Sequence, residues 1–400
     1  MIRQPPLSLY AHIPWCLRKC PYCDFNSHEA RGEVPEDEYV DALVADLEAS
    51  LPDVWGRAIH TVFIGGGTPS LFSPRSIERF LTALATRMKV GPETEITLEA
   101  NPGTFEIERF RGFRAAGVNR LSIGAQSFDD ASLAAIGRVH GSGEARRAIE
   151  AALSLFPTVN VDLMYALPGQ RLEGALRDVE TAVSLGAPHV SAYHLTLEPD
   201  THFARFPPPL PDHDLAADMQ EAIEAKLAAA GFEHYETSAF ARPGHRARHN
   251  VNYWTFGDYL GIGAGAHGKL TFRDRIVRTE RERKPRSYMQ AAAAGRAESQ
   301  RREVATGELP FEFMLNALRL VDGFPATLFS ERTGLPLGVV EPQLRAAEAA
   351  GLIEADAMHV RPTARGARFL NDLLATFLGP APRRPVIPIS TCPPGTPRPS

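Results

Sequence analysis

Cys16, Cys20 and Cys23 stand within eight residues of one another in Cys16-Leu17-Arg18-Lys19-Cys20-Pro21-Tyr22-Cys23, and the one other cysteine is Cys392. A C-x3-C-x2-C loop is too tight for disulfides among its members. Its thiolates can instead grip the corner of an iron–sulfur cube, which usually takes four cysteine ligands. With three supplied, one iron is left open to a ligand that is not protein, and chemistry is expected there. Zinc is the competing reading, since it takes four ligands and would recruit His12 or His28. The neighbours favour iron–sulfur. Tyr10, His12 and Trp15 lead into the loop and Tyr22 and Phe25 close it, and low solvent exposure is one of the factors that set cluster potential. Cys392 lies in a Pro-rich tail and reads as a bystander.

Such a loop needs a frame to hold it. From Leu7 to about Phe240 short apolar runs alternate with longer helical patterns. Strands are expected at Leu7–Ile13, Thr61–Ile64, Glu95–Leu98, Arg120–Ile123, Asn160–Met164, His189–Leu195 and Glu233–Ser238. Amphipathic helices are expected at Asp37–Ser50, Ser76–Met88 and Gly174–Leu185. This cadence reads as βα units around a parallel sheet, an α/β barrel that is complete or open on one side. Polar residues recur at or near the carboxyl ends of the strands: Cys16, Gly65-Gly66-Gly67-Thr68-Pro69, Glu99, Gln126, Asp162 and His194. Barrel enzymes assemble their sites on that face.

The four hundred residues suffice for a large domain and a small one. No stretch approaches the roughly 20 apolar residues of a membrane span, and Met1–Pro6 has no signal-peptide core. Few cysteines suit a reducing cytoplasm, which is the expected location. The net charge of −5 disfavours a general nucleic-acid binder. After Gly268 the regularity fails. Arg273–Arg286 holds seven basic and three acidic residues and reads as an exposed connection, either a plain solvated face or a landing strip for ligand carboxylates. Residues 308–378 have a turn at Thr333–Pro336, a helix at Val339–Ala350, a strand-like stretch at Leu352–Val360 and a helix after Pro362, similar to a winged-helix module. The expected division is 1–268 for the barrel, 269–307 for the connection, 308–378 for the small domain and 379–400 for a disordered Pro-rich tail.

The cysteine loop with Tyr22 inside it, followed by Gly-Gly-Gly-Thr-Pro after the next strand, resembles the radical S-adenosylmethionine (SAM) superfamily. The resemblance implies a partial (β/α)6 barrel and a [4Fe-4S] cluster on Cys16, Cys20 and Cys23. The open iron of that cluster would chelate SAM, and one electron would cleave a carbon–sulfur bond to give a 5′-deoxyadenosyl radical. Bare backbone at Gly65–Gly67 would let amides approach the methionine moiety. The runs at Tyr10–Cys16, Glu99–Pro102, Gly124–Phe128, Asp162–Gln170 and Tyr193–Leu195 extend the likeness. They point to the branch holding the oxygen-independent coproporphyrinogen III oxidases and the heme chaperones related to them. That likeness implies that Tyr10, Tyr22, Gly66, Gly67, Thr68 and Glu99 contact the cluster-bound SAM. It also places Gln126, Arg138 and Asp162 in the adjoining pocket, which holds a second SAM in the oxidases.

Two departures separate the relatives. The oxidases carry a further cysteine two residues after the third ligand, where this chain has Phe25, and a long N-terminal arm, where nine residues precede Tyr10. The run His249-Asn250-Val251-Asn252-Tyr253-Trp254 is similar to the signature of the heme-chaperone branch. It offers an imidazole and flat rings to a macrocycle, or else simply packs in the core. His249, His245 and His267 all stay open as the axial ligand. The expected function is heme binding and transfer to an acceptor protein, with SAM and heme as small-molecule partners. Oxidative decarboxylation of coproporphyrinogen III is the alternative. A third reading, a DNA-binding regulator, rests on the winged-helix likeness alone, and fold does not license it.

Overall fold

The computed structural model describes residues 2–104 and 107–378; the expected disordered tail and Cys392 lie outside them. The first six expected strands appear as β1 (Leu7–Ile13), β2 (Ala58–Gly66), β3 (Lys89–Ala100), β4 (Arg120–Gln126), β5 (Thr158–Tyr165) and β6 (His189–His194). Each lies parallel to the next. They are buried on both faces, as parallel sheets covered by helices must be. In β1, Leu7, Leu9, Ala11 and Ile13 sit in the apolar core, while the alternate residues Ser8 and His12 are buried polar groups. The helices Glu36–Val54, Pro74–Arg87 and Leu172–Ser184 contain or nearly coincide with the expected ones. Ser73 starts the second of these, its hydroxyl accepting from the Ser76 amide at 3.2 Å.

The edges differ from the sequence expectation. The stretch Glu233–Ser238 becomes β7 (Glu233–Glu236), and β8 (Ala239–Ala241) folds back on it and pairs antiparallel with β6. A turn at Thr237–Ser238 reverses the chain there. On the other flank β9 (Asp258–Ile262) pairs parallel to β1. Antiparallel β10 (His267–Thr271), β11 (Ile276–Arg281) and β12 (Glu298–Glu303) complete a twelve-stranded sheet.

The supposed exposed connection at Arg273–Arg286 is therefore corrected, because β11 runs through it. Its charges mislead because several are paired inside the fold. Arg281 and Asp46 have side chains only 2 % exposed, joined at 2.8 Å, and Arg281 also donates to Ser50 Oγ at 2.9 Å. Arg278 donates to Glu312 and to the Tyr259 hydroxyl.

A second buried ion cluster ties β9 to β10. Asp258 accepts from Lys269 Nζ at 3.0 Å and from Arg57 Nη1 at 2.7 Å. Burial alone would raise its carboxyl, but the two cations hold it below the usual range. Asp258→Ala leaves Lys269 buried without its counter-ion. That is expected to cost about 3–5 kcal/mol in urea unfolding, and a loss below about 1 kcal/mol would contradict this reading.

The C-terminal unit has its own core around Phe313, Phe324, Phe329 and Val360. Helices Leu309–Ala317, Ala326–Thr333 and Glu341–Ala349 surround a small antiparallel sheet of Phe324–Pro325, Ile353–Ala355 and His359–Pro362. The expected strand-like stretch Leu352–Val360 is thus the start of a hairpin. Gly334, at φ 74°, ends the second helix in the left-handed conformation that glycine accepts at least cost. The unit joins the barrel by strand-like contacts, with Thr237 N donating to Arg319 O at 3.0 Å and Val321 N to Tyr235 O at 3.2 Å.

Candidate functional site

The parallel strands end around a cavity of about 940 Å³. Its lining collects Cys16, Cys20, Cys23 and Tyr22 from the loop, Gly66–Thr68 after β2, Glu99 from β3 and Gln126 from β4. Asp162 from β5, His194 from β6 and Arg138 also line it. Cys16 and His194, 178 positions apart, are brought together here because parallel strands deliver their carboxyl ends to one edge.

The cysteine loop is anchored at both ends. Ala30 N donates to Cys16 O at 2.9 Å, Phe203 N to Pro21 O at 3.0 Å, and Cys23 N closes a turn onto Cys20 O at 3.2 Å. Asn26 Nδ2 donates to Ala264 O and Arg283 O. Burial raises the Cys16 thiol. Arg138 Nη1 lies 3.7 Å from Cys20 Sγ, and Ser27 Oγ lies 3.6 Å from Cys23 Sγ. Burial works against the Arg138 charge, but Tyr22 and Cys20 more than offset it and hold the guanidinium protonated.

The zinc alternative finds no fourth ligand in His12. Its Nε2 lies 2.9 Å from Asn26 O, which can only accept, so Nε2 carries the proton and Nδ1 accepts from the Tyr10 hydroxyl at 2.9 Å. Among the described residues no three His, Cys, Asp or Glu side chains converge on a point that could hold a single metal ion. A cube spreads its ligands over separate irons, and three thiols on one anchored loop beside Arg138 fit that donor set.

The glycine run does something other than expected. Gly66 N donates to Glu99 Oε2 at 3.0 Å, Gly67 N to Ile13 O at 2.7 Å and Thr68 N to Trp15 O at 2.7 Å. The Gly66 and Gly67 amides are thus engaged within the protein, and for these two the reading that they meet the methionine moiety is corrected. Glycine is required by close approach instead. A Cβ on Gly66 (φ 117°) would lie 2.6 Å from the His12 ring, and one on Gly67 would lie 2.5 Å from Trp15 O. Gly67→Ala must therefore push the cysteine loop away from β2. It is expected to cost about 1–3 kcal/mol and to lower iron retention after reconstitution; iron content equal to wild type would contradict this.

Glu99 and Asp162 are the carboxyl groups that the parallel strands bring to the cavity. Glu99 is half-buried on the cavity lining, and desolvation first, then Asp162, pushes its carboxyl up to about 8. Asp162 is likewise raised by burial. It accepts from Ser122 Oγ at 2.9 Å and from Asn160 Nδ2 at 2.7 Å. Behind it Asn160 Oδ1 receives His189 Nδ1 at 2.6 Å, and His189 Nε2 meets the Tyr235 hydroxyl at 2.9 Å. That buried chain fixes the carboxylate's orientation. Gln126 closes β4 with φ at 67°, a conformation uncommon for a side-chain-bearing residue and typical of strained functional positions.

Three groups of expected site residues lie elsewhere. Tyr10 is outside the lining, its ring stacked on Phe63 and its hydroxyl on His12. His249 is 4 % exposed, with Nδ1 on Thr61 Oγ1 at 2.8 Å and its amide on Glu95. Burial pushes its imidazole down to about 3. Tyr253 stacks on Tyr259 at 4.1 Å, and Trp254 carries the Arg319 guanidinium at 4.3 Å. As a heme platform the run is corrected at His249, which is buried and, with Asn252, packs as a plug against Thr61 and Ser8. Of the other axial candidates, His245 contacts Thr158 at 3.2 Å. His267 stands exposed in a separate cleft of about 310 Å³ with Arg278 and Arg302, both paired to Glu312.

Sequence reasoning did not single out Arg319 and Arg368, which reach the cavity from the C-terminal unit; no local motif marks them. His194 was marked by its place at the end of a strand as well as by the Tyr193-His194-Leu195 run, which was the signal for Tyr193.

A parallel sheet with this loop at its carboxyl edge defines a radical SAM scaffold, and residues 10–182 match the radical SAM superfamily. Residues 307–369 match the HemN C-terminal domain. The chain belongs to the family of the heme chaperone HemW. The Escherichia coli (strain K12) protein of that name is 49 % identical over 380 residues, covering 94 % of this chain and 100 % of the relative. That of Haemophilus influenzae is 45 % identical over 384 residues, covering 94 % and 99 %. The solved coproporphyrinogen III oxidase HemN of Escherichia coli shares the fold, with a TM-score of 0.80 at 22 % identity over 94 % of this chain and 90 % of that one. Among the described residues no helix is long and apolar enough to cross a membrane.

Proposed function

We propose that this protein binds heme and hands it to an acceptor protein, on a scaffold where Cys16, Cys20 and Cys23 hold a [4Fe-4S] cluster whose open iron takes SAM. The observation that carries the reading is the meeting of the three thiols with Glu99 and Asp162 in one cavity, in a chain 49 % identical to a heme chaperone along nearly its whole length. When bound, the cluster supplies an electron to the sulfonium of SAM. Glu99 faces the cofactor's ammonium or ribose hydroxyls, Tyr22 and Thr68 flank it, and Gln126, Arg138 and Asp162 shape the adjoining space. Phe25, 60 % exposed on the rim, stands where the oxidases have a further cysteine, and this speaks against porphyrinogen decarboxylation.

The test is transfer. Anaerobically purified protein loaded with hemin is mixed with an apo-hemoprotein and the Soret band is followed. Saturable hemin binding, then its loss to the acceptor faster than free hemin is captured, is expected. Absence of saturable binding would overturn the proposal.

A further inference from the structure

We infer that heme, on the reading just proposed, seats inside the 940 Å³ cavity with His194 as its axial ligand and with Arg319 and Arg368 of the C-terminal unit holding its carboxylates. At about 940 Å³ the cavity lies at the upper end of the roughly 300–1,000 Å³ range of small-molecule sites. His194 is the histidine on its lining. The side chain is exposed to the cavity, set edge-on against Tyr165 at 5.5 Å, and neither ring nitrogen has a hydrogen bond within the described residues. Partial desolvation lowers its basicity, with His213 adding to the effect, which favours the neutral imidazole that iron requires. Beside it the ring of Tyr193 is 42 % exposed, a free flat face for a porphyrin.

The barrel brings Glu99, Asp162 and Arg138 to the lining, and Arg319 and Arg368 enter from the C-terminal unit. Arg319 is loosely paired: its nearest counter-charge, Glu236, is 3.7 Å away, and its Nε has no partner. A guanidinium in that state can take a carboxylate. Arg368 is half-exposed and bonded to Glu221 at 2.7 Å, which a carboxylate ligand can replace. Trp254 lies against the Arg319 guanidinium at 4.3 Å. The His249–Trp254 run thus acts on heme as a positioning element, through Arg319.

The experiment titrates hemin into the full chain with its cluster reconstituted, comparing wild type with His194→Ala, Arg319→Gln and His249→Ala. In His194→Ala the Soret and visible bands should lose their imidazole-ligated character, with tenfold or greater weakening, and added imidazole should restore the spectrum. Arg319→Gln should weaken binding several-fold while the band positions stay those of wild type. If wild type binds and His194→Ala gives the same spectrum, the site assignment is overturned while heme binding stands. A spectrum lost only in His249→Ala overturns it equally. No saturable binding by wild type defeats the broader reading instead.

Discussion

Alanine at any one of Cys16, Cys20 or Cys23 is expected to abolish the broad visible absorption of the reconstituted cluster, and SAM binding with it. The effect is all-or-none because the loop carries no fourth cysteine. The nearby imidazole of His12 is committed to Asn26 O and the Tyr10 hydroxyl. Iron quantified after anaerobic reconstitution should fall to background. The fold should survive, since the loop is pinned by its backbone bonds at Cys16 O, Pro21 O and Cys20 O, not by its sulfurs. Unchanged helical circular dichroism alongside lost iron is the expected pair of results. A single-cysteine variant that keeps its cluster would refute the ligand assignment.

Glu99→Gln is expected to weaken SAM binding by about 10- to 100-fold, the equivalent of a charge-assisted hydrogen bond of roughly 1.5–3 kcal/mol. The wild-type carboxyl, pushed up to about 8, is largely protonated at neutral pH without ligand. A cationic ligand favours the ionised form, so wild-type affinity should climb as pH rises through 8 and level off above it, and Glu99→Gln should remove that climb. Stability moves in the opposite sense. Because the folded value lies above the ordinary 4.5, the group's contribution to ligand-free stability is full below 4.5 and is lost as pH rises through 8. The variant should therefore unfold later than wild type at pH 9. Calorimetry across pH reads both effects; a flat wild-type affinity profile would contradict them.

Much of this was legible from residue order. Strands β1 to β6 follow from apolar runs bounded by polar strand ends, and the same ends mark the cavity face, so the three cysteines, Glu99, Gln126 and Asp162 could be grouped before any coordinates. What stayed hidden depended on long-range pairing. Arg281 looks solvated until Asp46, 235 positions earlier, is placed against it. The glycine run reads as an open amide cradle until Ile13, Trp15 and His12 crowd it. His249 to Trp254 carry heme-like side chains, but only the packed structure shows them engaged with Thr61, Tyr259 and Arg319. Arg319 joins the site because a second core docks beside the sheet, which no local pattern announces.

The most direct measurement is electron paramagnetic resonance of the anaerobically reduced, reconstituted protein with and without SAM. A cubane whose fourth iron lacks a protein ligand should give a signal that changes shape and position when SAM is added, and the change should vanish in Cys20→Ala along with the cluster. A spectrum indifferent to SAM, or protein carrying stoichiometric zinc and no iron, would contradict the account.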